Sequence, residues 1–175
     1  TEKLVGQAFR QQAQWRAQGC DIRVGINLSP SMLSDVSLPD RYAGLAFDLG
    51  LDPENLVFEI TETGVAKDEA IYLEIVTRLH LKGFVLSIDD FGTGQSSLQK
   101  LEALPFAELK IDRQFVHGVS TNPAKRAILN ASIGLVRSLE MKVVAEGVEH
   151  EEDWKLLKHL NCDVVQGFIV ARPMP

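Results

Sequence analysis

Residues 84–98 have the sequence FVLSIDDFGTGQSSL, which joins an apolar run of strand length to a loop that contains two glycines. The run is rich in β-branched and aromatic side chains and predicts a buried β-strand. Two adjacent carboxylates, Asp89 and Asp90, stand where this strand ends. Two carboxylates about 4 Å apart repel by roughly 4 kcal/mol at an effective dielectric of about 20. The pair therefore indicates either a solvated turn or a bound cation, and this run alone leaves both readings open.

Strands and helices alternate on both sides of this run. Further strands are predicted at residues 21–28, 55–61, 107–112, 142–146 and 162–167. Helices are predicted at residues 1–18, 39–49, 97–104, 122–140 and 151–160, with another that contains residues 71–79 and is ended by Gly83. This alternation predicts parallel strands joined by right-handed crossovers. The strands are apolar nearly throughout, which indicates that both faces of the sheet are covered.

Two architectures fit such a sheet: an open doubly wound sheet and a (β/α)8 barrel. A polar side chain lies at or near the C-terminal end of every predicted strand: Asn27, Glu59, Asp89, Lys110, Glu146 and Gln166. An open sheet concentrates its site at one switch point, whereas a barrel gathers all its strand ends around one mouth. No GxGxxG motif follows the first strand to favour a dinucleotide-binding sheet. The pattern therefore predicts an α/β fold of the TIM type, a (β/α)8 barrel.

The predicted barrel is incomplete. About six strand–helix units are present, whereas a full barrel has eight strands and about 250 residues. We therefore expect residues 1–175 to form a single domain that is truncated at its N-terminal side. The absence of two strands would leave open edges on the sheet.

The composition describes a globular protein and excludes several classes of partner. The formal net charge is −6 and the pI is about 5.2, which argues against broad contact with a long nucleic acid. No apolar run is long enough to span a membrane, so we expect no membrane contact from this segment. Cys20 and Cys162 fit neither a disulfide framework nor a CxxC metal site. We expect them to be buried free thiols in a reducing compartment, which predicts a cytoplasmic location.

The strand-end residues suggest chemistry with a hard cation. Asn27, Glu59, Asp89 and Asp90 offer only oxygen donors, without a thiolate or an imidazole. Such donors select Mg²⁺ or Mn²⁺ over zinc. Taken singly, a strand-end Glu or Asn is more often a helix cap or an ion-pair partner. Six polar residues on successive strand ends favour a shared site.

The remaining strand-end residues fit metal-assisted phosphodiester hydrolysis. Lys110 can act as a compact charge near a phosphate or hold the attacking water. Glu146 can join a second metal ion or act as a base, and Gln166 can contact water or ligand through its amide. Two metal ions would activate the water and stabilise the leaving oxygen.

Glu62 and the four histidines are not expected to bind the metal ions directly. Glu62 lies three residues after Glu59 and is expected to hold the loop 90–98 through backbone amides. Four histidines fall on predicted helices or loops, so we interpret them as surface or core residues: His80, His117, His150 and His159.

Six motifs in order along the whole chain closely resemble those of the EAL family. They are Ile26-Asn27-Leu28-Ser29, Glu59-Ile60-Thr61-Glu62, Asp89-Asp90-Phe91-Gly92-Thr93-Gly94, Leu109-Lys110-Ile111-Asp112, Ala145-Glu146-Gly147-Val148-Glu149 and Gln166-Gly167-Phe168. Members of this family are bacterial cyclic di-GMP phosphodiesterases with a (β/α)8 barrel. The resemblance implies linearisation of cyclic di-GMP to pGpG with two Mg²⁺ or Mn²⁺ ions.

The resemblance also implies a role for each site residue. Metal ligands would be Asn27, Glu59 and Asp89, while Asp90 and Glu146 would serve a second ion or its waters. Lys110 would contact the attacking water, Gln166 would support the site, and Glu62 would hold the Asp-Asp loop near a dimer interface. Family members often form homodimers or higher oligomers and carry sensor, receiver or GGDEF domains, which we expect of the full-length protein.

Two departures from the family pattern keep an alternative open. The Glu-Ala-Leu signature, whose glutamate is a metal ligand, is absent because the sequence starts downstream of it, and Gln95 stands where the family usually has an aromatic residue. We expect the full-length protein to be an active phosphodiesterase and this segment alone to be inactive. The alternative is a catalytically inactive barrel that acts as a cyclic di-GMP receptor or scaffold. An unrelated metal-dependent barrel hydrolase is a third hypothesis.

Overall fold

A six-stranded parallel sheet forms the centre of the molecule in the computed structural model, which describes residues 2–61, 68–92 and 98–174. The strands are β1 (Val24–Leu28), β2 (Leu56–Thr61), β3 (Val85–Phe91), β4 (Glu108–Ile111), β5 (Lys142–Ala145) and β6 (Val164–Val165). Each strand pairs in parallel with the next one along the chain. This order lacks the reversal that defines a doubly wound sheet, and the six strands form a half-barrel of the TIM type. The predicted fold class is confirmed.

Helices connect the strands. They are α1 (Glu2–Ala17), α2 (Leu38–Asp48), α3 (Glu69–Leu81), α4 (Leu98–Ala103), α5 (Arg113–Val116), α6 (Pro123–Ser138) and α7 (Glu151–His159), with short 3₁₀ turns at Met32–Ser34 and Pro53–Asn55. Local chemistry explains several helix starts. Asn122 caps α6 by accepting hydrogen bonds from the backbone N–H groups of Ala124 and Lys125. The carboxylate of Asp68 caps α3 in the same way.

The structure differs from the sequence prediction in three places. The first strand begins at residue 24 instead of 21, and the sixth is two residues long instead of six. Within the described residues β6 pairs with β5 alone. The backbone N–H of Val143 on β5 donates a hydrogen bond to the Asp163 carboxylate at 2.9 Å, so at this position a side chain replaces the carbonyl of a neighbouring strand as the acceptor. The four-residue helix α5 was not predicted, because one turn carries no hydrophobic period.

The two faces of the sheet differ in polarity. Alternating strand residues on the outer face belong to the core beneath the helices: Ile26, Leu28, Phe58, Ile60, Leu86, Ile88, Leu109, Ile111, Val143 and Ala145. Residues at the intervening positions line an inner groove of about 200 Å³ that includes Glu59, Glu108 and Lys110. The inner face therefore carries charged side chains where the outer face is apolar, although Glu108, Lys110 and Val144 on the inner face are themselves buried.

Two expectations from composition can also be compared with the structure. Both cysteines are free thiols, but Cys20 is exposed and Cys162 is half-buried, so the predicted burial is wrong for Cys20. Cys20 directly follows Gly19, whose φ of +80° turns the chain away from α1. In the part of the chain that the structure describes, no helix is both long and apolar enough to cross a bilayer.

Candidate active site

Three strand-end carboxylates meet around Lys110. Its ammonium Nζ lies 2.6 Å from Glu146 Oε1, 2.9 Å from Glu59 Oε2 and 3.4 Å from Asp89 Oδ1. The Lys110 side chain is only 6% exposed, so these ion pairs are largely shielded from water. Glu59, Asp89 and Lys110 come from β2, β3 and β4, and Glu146 follows β5 directly. We call these four residues, together with Asp90, the carboxylate cluster.

A β-bulge brings Asp89 and Asp90 to the same side of the sheet. Successive side chains in a regular strand point to opposite faces, so two adjacent residues do not normally share a site. The register between β3 and β4 shifts between Ile88 and Phe91, and Asp90 has a left-handed φ of +58°. An extra residue in one strand bends the chain and reorients a side chain. As a result, carboxylate oxygens of Asp89, Asp90 and Glu146 all lie within 4.8 Å of one another.

The carboxylate cluster has an excess of negative charge. Burial lowers the pKa of Lys110, but its hydrogen bonds and attraction to Glu146 and Glu59 outweigh this effect and raise the pKa above its usual value. Burial raises the pKa of Glu146, and the charges of Asp89 and Glu59 raise it further despite the opposing effect of Lys110. The pKa of Asp90 is also raised, first by burial and then by Asp89. The four carboxylates therefore outweigh the single ammonium, and divalent cations would offset the remaining negative charge.

The donor chemistry fits such a cation. The carboxylates of Asp89, Asp90 and Glu146 offer three oxygen donors within 4.8 Å of one another, and Glu59 contacts Lys110 together with Asp89 and Glu146. Asn27 is exposed at the end of β1 and pairs in register with Glu59 on β2. Hard oxygen donors of this kind suit Mg²⁺ or Mn²⁺.

A glycine makes room for the Glu59 carboxylate. A Cβ atom at Gly25 on β1 would collide with Oε1 of Glu59 and lie 3.2 Å from its Cδ. The backbone of Gly25 has no left-handed φ, so space and not conformation requires glycine there. The Glu59 carboxylate thus lies against the β1 backbone, from which it reaches Lys110.

Gln166 lies at the edge of the same region. It lines the inner groove and also a cleft of about 260 Å³ that contains Glu146 and Arg113. Its backbone N–H donates to Ala145 at 2.9 Å, and its carbonyl accepts from Val148 at 3.1 Å. These bonds tie Gln166 to β5 and to the loop after Glu146.

Helix α5 supports both loops that carry site carboxylates, and the sequence analysis missed it. A Cβ at Gly92, which has a φ of +94°, would lie 2.8 Å from the Phe115 ring. A Cβ at Gly147, where φ is +64°, would collide with the side chain of Arg113. Arg113 also pairs with Glu149 at 2.9 Å. Gly92 and Gly147 thus mark two places where the backbone comes into close contact with α5.

Two residues singled out in the sequence cannot be placed. Glu62 and Gln95 both lie outside the described residues. The proposed anchoring of the Asp-Asp loop by Glu62 therefore stays a prediction, and so does any effect of Gln95 on that loop.

The chain is similar to proteins whose names state a common activity. Cyclic di-GMP phosphodiesterase RocR from Pseudomonas aeruginosa is 38% identical over 178 residues, which cover 99% of this chain and 45% of RocR. A solved structure of the MucR phosphodiesterase from the same organism, in complex with c-di-GMP, is also similar. It matches with a TM-score of 0.90 and 39% identity, and the match covers 99% of this chain and 76% of the MucR chain. This chain thus spans less than half the length of RocR.

A third relative was solved with a metal ion. The structure of BlrP1 from Klebsiella pneumoniae, described as a manganese and cy-diGMP complex, matches with a TM-score of 0.86 and 28% identity, covering 95% of this chain and 42% of that one. The EAL domain model matches residues 1–173. This match agrees with the order of the strands and with the clustered strand-end residues, and it shows that the chain belongs to the EAL domain family.

Proposed function

We propose that the full-length protein hydrolyses cyclic di-GMP to linear pGpG with bound Mg²⁺ or Mn²⁺. The observation that carries this proposal is the carboxylate cluster, in which partly buried acidic side chains from three strand ends surround one buried lysine. The names of RocR and of the MucR structure support the choice of substrate. The manganese in the BlrP1 complex supports the choice of metal.

The donor set divides between two ions in this proposal. Asn27, Glu59 and Asp89 would hold one ion, and Asp90 and Glu146 would hold the second ion or its waters. When bound, such ions make water a stronger nucleophile and stabilise charge on the leaving oxygen. The protein's contribution is to fix these donors, which the bulge at Asp90 and the space at Gly25 do.

In this proposal Lys110 acts as a hydrogen-bond donor and not as a metal ligand. As an ammonium that contacts three carboxylates, it offers protons for hydrogen bonds and has no lone pair with which to accept one. It can therefore orient the attacking water or a phosphate oxygen. In this proposal Glu146, which lies 2.6 Å from Lys110 and beside Asp89 and Asp90, would accept the proton of that water.

Substitution of Glu59 tests the function directly. Full-length protein with Mg²⁺ is expected to convert cyclic di-GMP to pGpG, and Glu59→Ala is expected to lower the rate by about 10²-fold or more, because losing even an outer partner of a metal site costs 10–100-fold. Product formation is measured by liquid chromatography. Glu54→Ala, an exposed glutamate just before the same strand, is the matched control and should keep full activity.

The outcomes separate the competing hypotheses. Full activity of Glu59→Ala would contradict the role given to this residue. Tight binding of cyclic di-GMP without turnover by the unsubstituted protein would favour the receptor alternative. No affinity for the nucleotide would contradict the proposed substrate, since the family membership of the chain already excludes an unrelated barrel hydrolase.

Gly25→Ala gives a second test that spares every charged residue. The new Cβ occupies the space of the Glu59 carboxylate and should push it away from Lys110. We expect turnover to fall about tenfold or more, in line with the loss of a partner that orients a metal ligand. The midpoint of thermal unfolding should change little, because the reduced freedom of the unfolded chain offsets part of the lost Glu59 contact and Lys110 keeps its pairs with Glu146 and Asp89.

The control for this variant is Gly134→Ala, where a Cβ would meet nothing within 4 Å. It should leave turnover unchanged. If Gly25→Ala keeps full turnover and full affinity for Mn²⁺, the position of the Glu59 carboxylate does not matter for the reaction.

The proposal extends to the assembly of the full-length protein. We infer a homodimer or higher oligomer and an attached sensor, receiver or GGDEF domain. The name of MucR, a bifunctional diguanylate cyclase and phosphodiesterase of which this chain covers 26%, supports the second inference. Light scattering on the full-length protein measures the first.

A further inference from the structure

A second group of metal-binding side chains lies outside the carboxylate cluster. His117 follows α5, while Glu149 and His150 directly precede α7. Each of the three offers a ligand atom, and these atoms all lie within 4.8 Å of one another. The two imidazole rings have their centroids 5.2 Å apart and their planes at 50°. Residues separated by more than thirty positions in the sequence are thus brought together at one point.

The backbone on both sides of this group is held in place. Asp153, in the first turn of α7, is 1% exposed and accepts hydrogen bonds from the N–H groups of Gly118 and Ser120, each at 2.8 Å. The His117 N–H donates to Arg113 at 2.8 Å, and its carbonyl accepts from Lys125 Nζ at 2.7 Å. The loop that carries His117 is therefore fastened to the helix that follows His150.

The side chains themselves have unused capacity for a ligand. Nδ1 of His117 is buried and has no hydrogen-bond partner in the described part of the chain. Buried polar atoms normally have a hydrogen-bond partner or a ligand, so an unpaired buried nitrogen is a candidate for binding one. His150 occupies the N-cap position of α7, yet its side chain makes no capping hydrogen bond. Glu149 accepts from Arg113 at 2.9 Å and has a second carboxylate oxygen to offer.

We propose that His117, Glu149 and His150 bind a zinc ion that is separate from the ions of the carboxylate cluster. Two imidazoles and one carboxylate are three protein ligands of the type that zinc uses, with a fourth position left for water. Imidazole nitrogens favour zinc, whereas the oxygen-only donors of the carboxylate cluster favour Mg²⁺ or Mn²⁺. Ligand bonds of about 2.0–2.1 Å place tetrahedral donor atoms roughly 3.3 Å from one another, so side-chain rotation would have to bring donors that now lie within 4.8 Å to that spacing. The bound ion would join the loop after α5 to the start of α7.

Zinc titration of the full-length protein tests the proposal. The titration uses calorimetry with saturating Mg²⁺, in a Cys20→Ser background so that the exposed thiol does not bind zinc. We expect one tight zinc site whose affinity falls by about tenfold or more in His150→Ala, because one of three ligands is lost. His150 is exposed, so this variant should fold normally. His159→Ala, which removes an exposed histidine at the other end of α7, is the matched control and should bind zinc as before.

A second variant and a second readout keep the result unambiguous. The second variant, Asp90→Asn, changes only the carboxylate cluster and should leave zinc affinity unchanged. The second readout is thermal unfolding: zinc should raise its midpoint in the background protein but not in His150→Ala. The proposal is overturned if zinc does not bind, if His150→Ala binds it as tightly as the background, or if Asp90→Asn removes binding. In the first two cases the histidines are a tilted ring pair without a metal. Since no arm of this test measures hydrolysis, its failure would not touch the proposed phosphodiesterase activity.

Discussion

Lys110→Ala is expected to lower the turnover of cyclic di-GMP by the full-length protein by about 10²-fold or more. A positioned proton-transferring or water-orienting side chain typically contributes 10²–10⁴-fold to a rate. Lys110 contacts Glu59, Asp89 and Glu146 at 2.6–3.4 Å, so its loss removes the donor at the centre of the carboxylate cluster. The measurement is the steady-state rate of pGpG formation with saturating Mg²⁺.

The same variant should also lose stability when divalent ions are removed. Removing one partner of a buried ion pair typically costs about 3–5 kcal/mol in free energy of unfolding, because the other charge stays buried and uncompensated. Mg²⁺ should restore part of this loss, since it supplies positive charge to the same carboxylates. Urea unfolding with a chelator and with Mg²⁺ measures both effects.

Lys155→Ala is the control for Lys110→Ala. Lys155 pairs with Glu151 at 2.8 Å, but both side chains are more than 60% exposed, and such pairs contribute little to stability. This variant should keep its turnover and its stability. A rate for Lys110→Ala within twofold of the unsubstituted protein would contradict the role of Lys110, and stability equal to that of the control would contradict its charge-balancing role.

Asp153→Ala is expected to lower the free energy of unfolding at pH 7 by about 3 kcal/mol. Hydrogen bonds to a charged group contribute about 1.5–3 kcal/mol each, and a buried donor left without a partner adds to the loss. Asp153 is buried on α7 and is the acceptor for the Gly118 and Ser120 N–H groups. Denaturant unfolding followed by circular dichroism measures the change.

The effect of Asp153 should depend on pH in a definite direction. Burial raises the pKa of Asp153, but the hydrogen bonds from Ser120 and Gly118 outweigh it and hold the pKa below 3.8. A carboxyl group with a lowered pKa in the folded state stabilises the fold above its unfolded pKa of about 3.9 and loses this effect as the pH falls through the folded value. The stability difference between the unsubstituted protein and Asp153→Ala should therefore be full at pH 7 and shrink below about pH 4.

Glu152→Ala is the matched control, because Glu152 precedes Asp153 in the same turn but is exposed. Its stability should stay close to that of the unsubstituted protein at both pH values. A loss in Asp153→Ala that is the same at pH 3 and pH 7 would show that packing, and not the charged hydrogen bonds, explains the role of Asp153.

The sequence predicted the convergence of the site better than its internal geometry. Strand ends of a parallel barrel meet at one mouth, so Glu59, Asp89 and Lys110 could be placed together from strand order alone. The common orientation of Asp89 and Asp90 could not, because alternation along a regular strand argues against it and the bulge depends on pairing with β4. Likewise, nothing near Gly25 in the sequence shows that a carboxylate from the next strand fills the space beside it.

Helix α5 and the contact between His117 and His150 could not be predicted from the sequence, for a related reason. Arg113 and Phe115 matter through contacts with Gly147 and Gly92, which are distant in the sequence. His117 and His150 meet only because α5 and α7 flank neighbouring strands. Each residue taken alone fits an ordinary surface or core position, and only the folded chain shows the pairing.

The placement of the core on the outer side of the sheet affects how such a domain can evolve. The apolar residues that bind helices to strands are distinct from the charged residues of the inner groove. Replacing a whole set of buried charges by neutral residues is often neutral for stability, whereas removing one alone is not. A descendant that exchanges the groove charges together could lose catalysis, keep its fold and persist as a nucleotide sensor.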